Sequence, residues 1–349
     1  MVQSGKEGSA FLQDAVYAHL GSRSTKVKVG PGPGLDNGIV SVGDGRVMIL
    51  TVDPVSAIPA FGMKLSAWLS VHLIASDYTA SGADPEFAIF SYNFPPEMSR
   101  HSKKEYAGAI GDECRKLGIA IAGGHTGSYP GGGFTVIGAG TMLGFAPEGG
   151  YVTPAMAKTG DVILMTKHAA IEATGSLALS FPRYVGDELG RKLRNRASEL
   201  IELCTTVKDA RTARLVGLGE RGVTSMHDAT EGGVLGALNE MSLASSNLFE
   251  VDAEKIPVLE EAAAVCDLFR LDPLRTMGEG SLLLTCRPDA VSRLSTNMSE
   301  ARIPVCRIGE VRRGRGLNVV DEGGGAKRFK PGPDRYWTVY SEATRRRLR

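Results

Sequence analysis

The hydrophobic and polar positions of the chain alternate with two periods, one typical of strands and the other typical of amphipathic helices. Runs of β-branched and other apolar residues at 39–42 and 47–52 are separated by Gly-Asp-Gly, a pattern that predicts a β-hairpin. Residues 62–79 place apolar side chains three and four positions apart and predict a long helix that is ended by Gly and Pro. The other elements predicted in this half are helices at 9–19 and 102–117 and strands at 87–92, 119–122 and 134–145.

The periodicity disappears between residues 151 and 160, where glycine and proline cluster. We therefore predict two domains, residues 1–155 and 156–320. The chain after residue 312 is rich in Gly and Arg and poorly periodic, and residues 321–349 are predicted to be a basic tail. The elements predicted in the second half are helices at 172–181, 197–218, 234–243, 258–266 and 289–301 and strands at 161–166, 223–227, 281–286 and 305–311.

The composition is that of a globular protein that buries a core. The 349 residues are 42% hydrophobic and 23% charged, and the 44 glycines together with alternating strands and helices favour an α/β fold. A net charge of +1 gives no reason to expect a nucleic acid or a membrane as partner. Five scattered cysteines without metal or redox spacing, and the lack of a signal peptide, predict a cytoplasmic protein.

A glycine-rich segment, residues 30–38 with the sequence GPGPGLDNG, is a candidate for phosphate binding. Glycines let backbone N–H groups approach an anion, and Asp36 directly after them could hold a divalent cation against it. The segment lacks the Gly-Lys-Ser/Thr of a Walker loop, and no helix opens straight after it as in a dinucleotide fingerprint. Taken alone, the Asp-Asn-Gly sequence is explained by a turn.

Two further aspartates lie at the ends of predicted elements of the first domain. Asp53 ends an apolar strand, where α/β proteins place ligand groups, although a turn or a helix cap explains it as well. Asp77 lies late in the helix 62–79, whose apolar side chains leave little polar surface. A buried carboxylate there needs a cation or hydrogen-bond donors, and a solvated position is the alternative.

A glycine pair after the strand 119–122 is a second candidate for phosphate binding. In the sequence Gly123-Gly124-His125-Thr126, the backbone amides could face an anion. His125 could serve as a ligand or a base, and a loop histidine with neither role is the alternative.

The segment between the strand 223–227 and the next helix has similar chemistry. Asp228 stands where an aspartate and helix N–H groups can meet a magnesium-bound phosphate, although a helix cap is the alternative. His227 and Glu279 are candidates for acceptor binding or acid–base catalysis. Glu279 precedes a strand, where it could face a cleft or the solvent.

Taken in order, these segments resemble the aminoimidazole-ribonucleotide (AIR) synthetase superfamily, which includes PurM, HypE, selenophosphate synthetase and thiamine-phosphate kinase. The likeness is greatest to HypE and its relatives and extends to about residue 311. The matching segments are the glycine turn with Asp36, the strand ending at Asp53, residues 75–85, residues 121–126, the junction 158–163, the loop 227–233, and residues 271–274 leading to 279–280.

The resemblance implies a PurM-like α/β fold of two domains. The N-terminal domain would pair with its copy in a second subunit to form a shared β-barrel, and the C-terminal domain would be an α/β sandwich. ATP would lie in a cleft of this homodimer, with its phosphates held by Mg²⁺. Carried over residue by residue, the Mg²⁺ ligands are Asp36, Asp53, Asp77 and Asp228, and the ATP-binding residues are Gly34, Asn37, Gly123, Gly124, His125, Thr126, Gly232 and Gly233.

Several positions depart from the pattern of the superfamily. Many relatives carry a second aspartate where this chain has Asn37, an acidic residue where it has His125, and, in HypE-type loops, an arginine where it has Glu231. The two lost carboxylates should weaken Mg²⁺ binding, and Glu231 could partly compensate for them. HypE proteins react on a C-terminal cysteine, whereas the last cysteine here is Cys306, so we do not expect that tail reaction.

The expected function is therefore ATP-dependent phosphoryl transfer to a small-molecule acceptor. Such a transfer needs little covalent catalysis by the protein, because metal ions neutralise the charge of the phosphoryl group and loops hold the reactants in line. One alternative is a non-catalytic nucleotide-binding protein with a maturation or regulatory role, since lost carboxylates can mean lost turnover. A second is an enzyme of the phosphoribosylformylglycinamidine cyclo-ligase type, which His125 disfavours because the purine enzymes carry an acidic residue there.

Overall fold

The computed structural model describes residues 5, 7–8, 11–130, 134–320 and 323–348. Within these ranges the chain forms two sheets with helices packed against them, so the predicted mixed α/β fold of two domains is confirmed. The strands of the first sheet are β1 (Val27–Val29), β2 (Gly38–Gly43), β3 (Arg46–Ser56), β4 (Phe87–Phe94), β5 (Ala120–Ser128) and β6 (Val136–Pro147).

The first sheet has the strand order β1-β2-β3-β6-β4-β5, and only the β4–β5 pair is parallel. Helices α1 (Gly62–Thr79) and α2 (Arg100–Leu117) pack beside each other, and α1 packs on β3 and β6. The opposite face is accessible: Val52 and Ile89, which both pair with Thr141 of β6, are 61% and 42% exposed. One face of the sheet is therefore a core and the other an apolar surface.

The second sheet contains seven strands in a mixed arrangement. They are β7 (Val162–Thr166), β8 (Val223–Asp228), β9 (Leu248–Asp252), β10 (Leu282–Cys286), β11 (Val305–Arg312), β12 (Gly316–Val320) and β13 (Ala326–Arg328). Their order is β13-β12-β9-β11-β7-β10-β8, and β12 runs parallel to β9. Every residue of β7, β8 and β10 is buried, because side chains from the second domain cover both faces at the centre of the sheet.

The helices of the second domain fall into three groups around this sheet. Their bounds are α3 (Ile171–Ser180), α4 (Pro182–Leu189), α5 (Arg191–Glu199), α6 (Val207–Ala213), α7 (Gly233–Ser245), α8 (Glu260–Leu268), α9 (Val291–Glu300) and α10 (Tyr336–Arg345). Apolar side chains of α7 pack on one face of the sheet, and those of α6 and α9 on the other. Residues of α3, α4, α5, α8 and α10 form a separate apolar cluster.

The two domains are joined by contacts that fix their relative position. Leu69 of α1 shares an apolar cluster with Ile171 of α3. Asp84, after α1, accepts hydrogen bonds of 2.6 Å from both Arg211 and Arg214 of the second domain. These two arginines hold the pKa of the Asp84 carboxyl below its usual value against the opposing effect of burial. The domains therefore enclose a cleft with defined walls.

Three of the elements predicted before residue 312 differ from the structure. The glycines after the strand 119–122 do not form a loop but continue β5 as far as Ser128. The single helix predicted at 197–218 is broken into α5, short 3₁₀ turns and α6. The helix predicted at 9–19 contains only the irregular turns Leu12–Val16 and Tyr17–His19, which bury no side chain; residues 9 and 10 lie outside the described residues.

The largest difference is in the chain after residue 312, which the sequence predicts to be poorly periodic. It contributes β12 and β13 to the second sheet and ends in helix α10. Tyr336, Val339 and Ala343 of α10 are buried against the second domain. In the described part of the chain, none of the helices has the length and apolar character needed to span a bilayer.

Candidate functional site

A cleft of about 1170 Å³ opens between the two domains. The first domain contributes the glycine-rich segment, β3 and α1 to its lining, and the second contributes α3, the loop after β8, the turn before β10 and α10. None of the described lining residues is Lys, Arg or His. The described lining therefore offers an anion no positively charged side chain. The acidic residues of the lining are Asp36, Asp53, Asp77, Glu172, Glu231 and Glu279.

The four aspartates predicted as Mg²⁺ ligands come together at one end of this cleft. Burial raises the pKa of Asp77 well above its usual value, and the nearby charges of Asp228, Asp53 and Asp36 raise it further. Burial, followed by the charge of Asp36, raises the pKa of Asp228 to about 6. Neither side-chain oxygen of Asp228 accepts a hydrogen bond from the described residues. The surroundings of Asp77 and Asp228 therefore disfavour the ionised forms of both carboxyls.

His227 lies beside this cluster, between two carboxylates from different domains. Its Nδ1 is 2.7 Å from Oδ2 of Asp36, and its Nε2 is 3.0 Å from Oε2 of Glu240 in α7. Burial lowers the pKa of His227, but Asp36 and Glu240 outweigh that effect and raise it well above the usual value. Ligand atoms of Asp36, His227 and Asp228 lie within 4.8 Å of one another. His227 thus ties the glycine-rich segment to the second domain as a buried cation.

Asn37 stands where the family resemblance implies a second aspartate, and its side chain is 7% exposed. Its Nδ2 donates a hydrogen bond of 2.8 Å to the backbone oxygen of Asp77, which joins the glycine-rich segment to α1. Its Oδ1 is buried and accepts no hydrogen bond from the described residues. Thr51 donates to the backbone oxygen of Asp36 at 2.9 Å and fixes the same segment from β3. The segment is therefore held so that Asn37 keeps an uncompensated carbonyl oxygen.

Gly34 lies behind the cleft rather than in its lining. Its φ is +67°, and a Cβ added there would lie 2.7 Å from Cβ of Glu240 and 2.9 Å from the backbone oxygen of the same residue. A side chain would thus push the glycine-rich segment away from α7. Glycine is required at this position for close packing between the domains.

The residues Gly123, Gly124, His125 and Thr126 lie outside the cleft of this chain. They belong to β5, an edge strand of the first sheet, and all four are exposed. Thr126 lines a separate cavity of about 530 Å³, which also contains Arg100, Lys103 and Lys104. Nε2 of His125 is 2.6 Å from Oη of Tyr129, and the two rings stack. The predicted ATP-binding role of these four residues is therefore not supported by the cleft of a single chain.

The glycine pair Gly232-Gly233 shapes the loop between β8 and α7. The N–H of Gly232 donates to Oδ2 of Asp334 at 3.0 Å, and the N–H of Gly233 donates to the backbone oxygen of Thr230 at 3.0 Å. Thr230 and Glu231 of this loop line the cleft. The pair thus positions two polar side chains, while its own N–H groups are engaged within the protein.

Glu279 is a buried acid on the wall formed by the second domain. It is 3% exposed, and its Oε1 accepts no hydrogen bond from the described residues. Burial and the charges of Asp228, Glu172 and Asp53 raise the pKa of Glu279 well above its usual value. Lys167 fixes the neighbouring residue, Gly280, by donating a hydrogen bond of 2.5 Å to its backbone oxygen. The sequence left open whether Glu279 faces a cleft or the solvent, and in the structure it lines the cleft.

Sequence reasoning missed the part of the wall contributed by α10. Tyr336, Trp337 and Tyr340 line the cleft, and Nε1 of Trp337 donates to Oε1 of Glu231 at 2.7 Å. The backbone N–H of Tyr336 donates to Asp334 at 2.8 Å, which fixes the start of the helix. The signal was present in the sequence, because positions 336 and 340 are one helical turn apart.

Comparison with known proteins identifies the family that this fold and cleft represent. Residues 34–146 match the N-terminal domain of AIR synthase related proteins, and residues 158–322 match the C-terminal domain. The chain belongs to the AIR synthase-related family, so the predicted resemblance is confirmed.

Three known proteins illustrate the range of this similarity. The chain is 29% identical over 272 residues to carbamoyl dehydratase HypE of Bradyrhizobium diazoefficiens, covering 76% of this chain and 73% of that one. It is 26% identical to selenide, water dikinase of Methanococcus maripaludis, covering 81% and 85%. The crystal structure of a hydrogenase maturation protein HypE in complex with ATP superimposes with a TM-score of 0.64 at 18% identity, covering 96% and 98%. The family therefore includes members with different activities, and one solved relative binds ATP.

Proposed function

We propose that this protein binds Mg-ATP in the cleft and transfers a phosphoryl group to a small-molecule acceptor. The observation that carries the proposal is the convergence of Asp36, Asp53, Asp77 and Asp228 in a cleft whose described lining has no basic side chain. A nucleotide triphosphate would be repelled by this lining unless divalent cations accompanied it. Two relatives support parts of this proposal: a HypE solved in complex with ATP supports nucleotide binding, and a selenide, water dikinase supports phosphoryl transfer.

The residues of the cluster fit magnesium ions. Asp228 and Asn37 both bury side-chain oxygens that accept no hydrogen bond from the described residues, and hard oxygen atoms are the ligands that Mg²⁺ prefers. We propose Asp36, Asp53, Asp77 and Asp228 as its ligands, with the Oδ1 of Asn37 as a neutral ligand. When bound, Mg²⁺ would neutralise the charge of the phosphates.

The residues of the chain itself would act by positioning. His227 holds Asp36 in place through its ion pair, so we propose that it orients a ligand instead of acting as an acid or base. Asn37 links the glycine-rich segment to α1, and Gly34 lets that segment lie against α7. Glu279 lies on the wall of the cleft that the second domain contributes, where a carboxylate could bind the acceptor or accept a proton from it.

We further propose that the active form is a homodimer formed through the accessible face of the first sheet. Val52 and Ile89 on that face are exposed large apolar side chains in register across neighbouring strands. A second sheet packed there would bury them, and β5 of the partner could then bring Gly123, Gly124, His125 and Thr126 toward a nucleotide. The shared β-barrel expected from the family resemblance is one form of such a dimer.

Thermal unfolding with and without Mg-ATP tests nucleotide binding, because a ligand well above its Kd raises stability by a few kcal/mol. ADP release with candidate acceptors then tests turnover. We expect a Mg²⁺-dependent rise in Tm and acceptor-dependent ADP release. A rise in Tm without ADP release from any acceptor would favour the non-catalytic alternative, and the lack of any rise would contradict nucleotide binding.

A further inference from the structure

One end of the cleft combines three carboxylates with aromatic rings. We define this carboxylate–aromatic subsite by Glu172, Glu231, Glu279, Tyr336 and Trp337, all of which line the cleft. The residues come from α3, the loop after β8, the turn before β10 and α10, so four separate segments of the second domain build it. None of the three carboxylates belongs to the aspartate cluster proposed to hold Mg²⁺.

The described residues around Glu279 and Glu172 do not stabilise the ionised forms of these two carboxyls. Oε1 of Glu279 is buried without a donor, and Glu279 is 3% exposed. Burial raises the pKa of Glu172 to about 8, and the charges of Glu231, Asp334 and Asp53 contribute to that rise. Lys167 lowers the pKa of Glu279, but it lies outside the cleft lining and already pairs with Asp209 at 2.9 Å. A ligand that carries positive charge would supply what the wall lacks.

The aromatic side of the subsite is rigid. Trp337 is fixed by its hydrogen bond to Glu231, and the hydroxyl group of Tyr336 is hydrogen-bonded to Ser176 of α3. The faces of Trp and Tyr rings attract cations and also cover the apolar parts of a ligand. A fixed ring near the buried Oε1 of Glu279, which accepts no hydrogen bond from the described residues, is a combination that can recognise a positively charged nitrogen attached to an apolar body.

We propose that the acceptor of the phosphoryl transfer is an organic cation, such as an amine on a flat apolar group, which binds in the carboxylate–aromatic subsite. That the bound cation accepts a phosphoryl group rests on the proposed function, whereas its binding in the subsite does not. An anionic acceptor would be repelled by the lining, and a neutral one could donate a hydrogen bond to Glu279 but would not balance the charge of its ionised form. A further divalent ion would find carboxylate ligands here but would make no use of the aromatic rings.

The experiment compares amines with neutral and anionic molecules of the same shape. Tryptamine, tryptophol and indole-3-acetate form one series, and 2-phenylethylamine, 2-phenylethanol and phenylacetate form a second. Each compound is titrated by calorimetry into the full-length protein, with and without Mg²⁺ and a non-hydrolysable ATP analogue. We expect at least one amine to bind about tenfold or more tightly than its alcohol, since hydrogen bonds to charged groups are the strong ones.

Variants locate the binding site. Glu279→Gln and Glu172→Gln should each weaken the amine about tenfold and leave the alcohol unchanged, whereas Trp337→Leu should weaken both compounds. Glu300→Gln, an exposed position on α9, is the matched control and should bind the amine like the wild type. Circular dichroism spectra establish that each variant is folded.

Equal affinity for the three members of each series, or no binding of either amine, would overturn the inference. A fall in the number of Mn²⁺ ions bound to Glu279→Gln, with amine binding unchanged, would also overturn it and assign the subsite to a metal. Amine binding without any binding of Mg-ATP would instead contradict the proposed function and leave the cation site in place.

Discussion

At the scale of single residues, two aspartates of the site lie in surroundings that disfavour their charged forms. Asp77 and Asp228 are buried, and both have raised pKa values because burial and like charges disfavour their ionised forms. A carboxyl whose pKa is raised in the folded state destabilises the protein progressively as the pH rises through that range. Bound cations would remove this cost, so the same residues favour ligand binding at the expense of stability without ligand.

The variant Asp77→Asn tests whether this aspartate lowers stability without ligand and favours the binding of cations. Without metal it should raise Tm at pH 7.5 by a few degrees, because the amide does not ionise in its buried position. With Mg-ATP it should lose most of the further rise in Tm that the wild type shows. Differential scanning fluorimetry in EDTA and in Mg-ATP measures both effects. A variant that responds to Mg-ATP like the wild type would refute the proposed ligand role of Asp77.

The pKa of Glu172 predicts a pH dependence of stability. The pKa of its carboxyl is raised from 4.5 to about 8 in the folded state, so its unfavourable contribution develops as the pH rises from 4.5 to 8. In EDTA, Glu172→Gln should therefore match the wild type near pH 4.5 and exceed its stability by ~2 kcal/mol at pH 8.5. Urea unfolding at both pH values measures the difference. A gain of the same size at pH 4.5 would point to packing instead of charge.

At the scale of elements, the glycine-rich segment depends on its close approach to α7. Gly34→Ala would place a Cβ within 2.7 Å of the Glu240 side chain at φ +67°, so the segment has to move. We expect the affinity for Mg-ATP to fall at least about tenfold, because a displacement of about 1 Å at a positioning residue has effects of this size or larger. Isothermal titration calorimetry measures the loss.

Gly45→Ala is the matched control for that experiment. Gly45 lies in the β2–β3 turn with φ +66°, nearly the same backbone conformation, but an added Cβ would have open space around it. This variant should lose some stability through backbone strain and keep its nucleotide affinity. Equal loss of affinity in both variants would show that strain in the backbone, and not contact with α7, explains the effect.

The elements also show where the local sequence pattern is sufficient to predict secondary structure and where it is not. The helix predicted at 62–79 has the same bounds as α1, because its apolar spacing and terminal Gly and Pro act locally. The glycines of β5 are typical of a loop, yet they extend in the structure because β4 pairs with them as far as Ser128. The last helix, α10, mixes three aromatic residues with Thr, Ser, Glu and Arg, and the aromatic residues become a packed face only in the apolar cluster that includes α3 and α8.

At the scale of the whole molecule, the accessible face of the first sheet predicts self-association. Ile89→Lys would place a charge in the centre of the proposed dimer interface, where burial of an unpaired charge is costly. Light scattering after size exclusion should show a dimer for the wild type and a monomer for the variant. Leu215→Lys, which replaces a 71% exposed leucine of the second domain, is the control and should remain dimeric. A monomeric wild type would contradict the proposal.

The sequence alone determined the features that depend on neighbouring residues and on order along the chain. The hairpin of β2 and β3, the helix α1 and the α/β class follow from periodicity and turn residues, and the ordered motifs identified the family. These features are local because hydrogen-bonding and burial patterns repeat over a few residues.

Only the tertiary structure decided which polar residues meet. Asp53 and Asp77 each had a simple local explanation, and their mutual charge effects appear only when β3 lies beside α1. The structure likewise brings α10, more than 50 residues after Glu279 in the sequence, to the wall that contains this glutamate. Burial and electrostatic interaction depend on distance in space, and one sequence without a fold does not contain that distance.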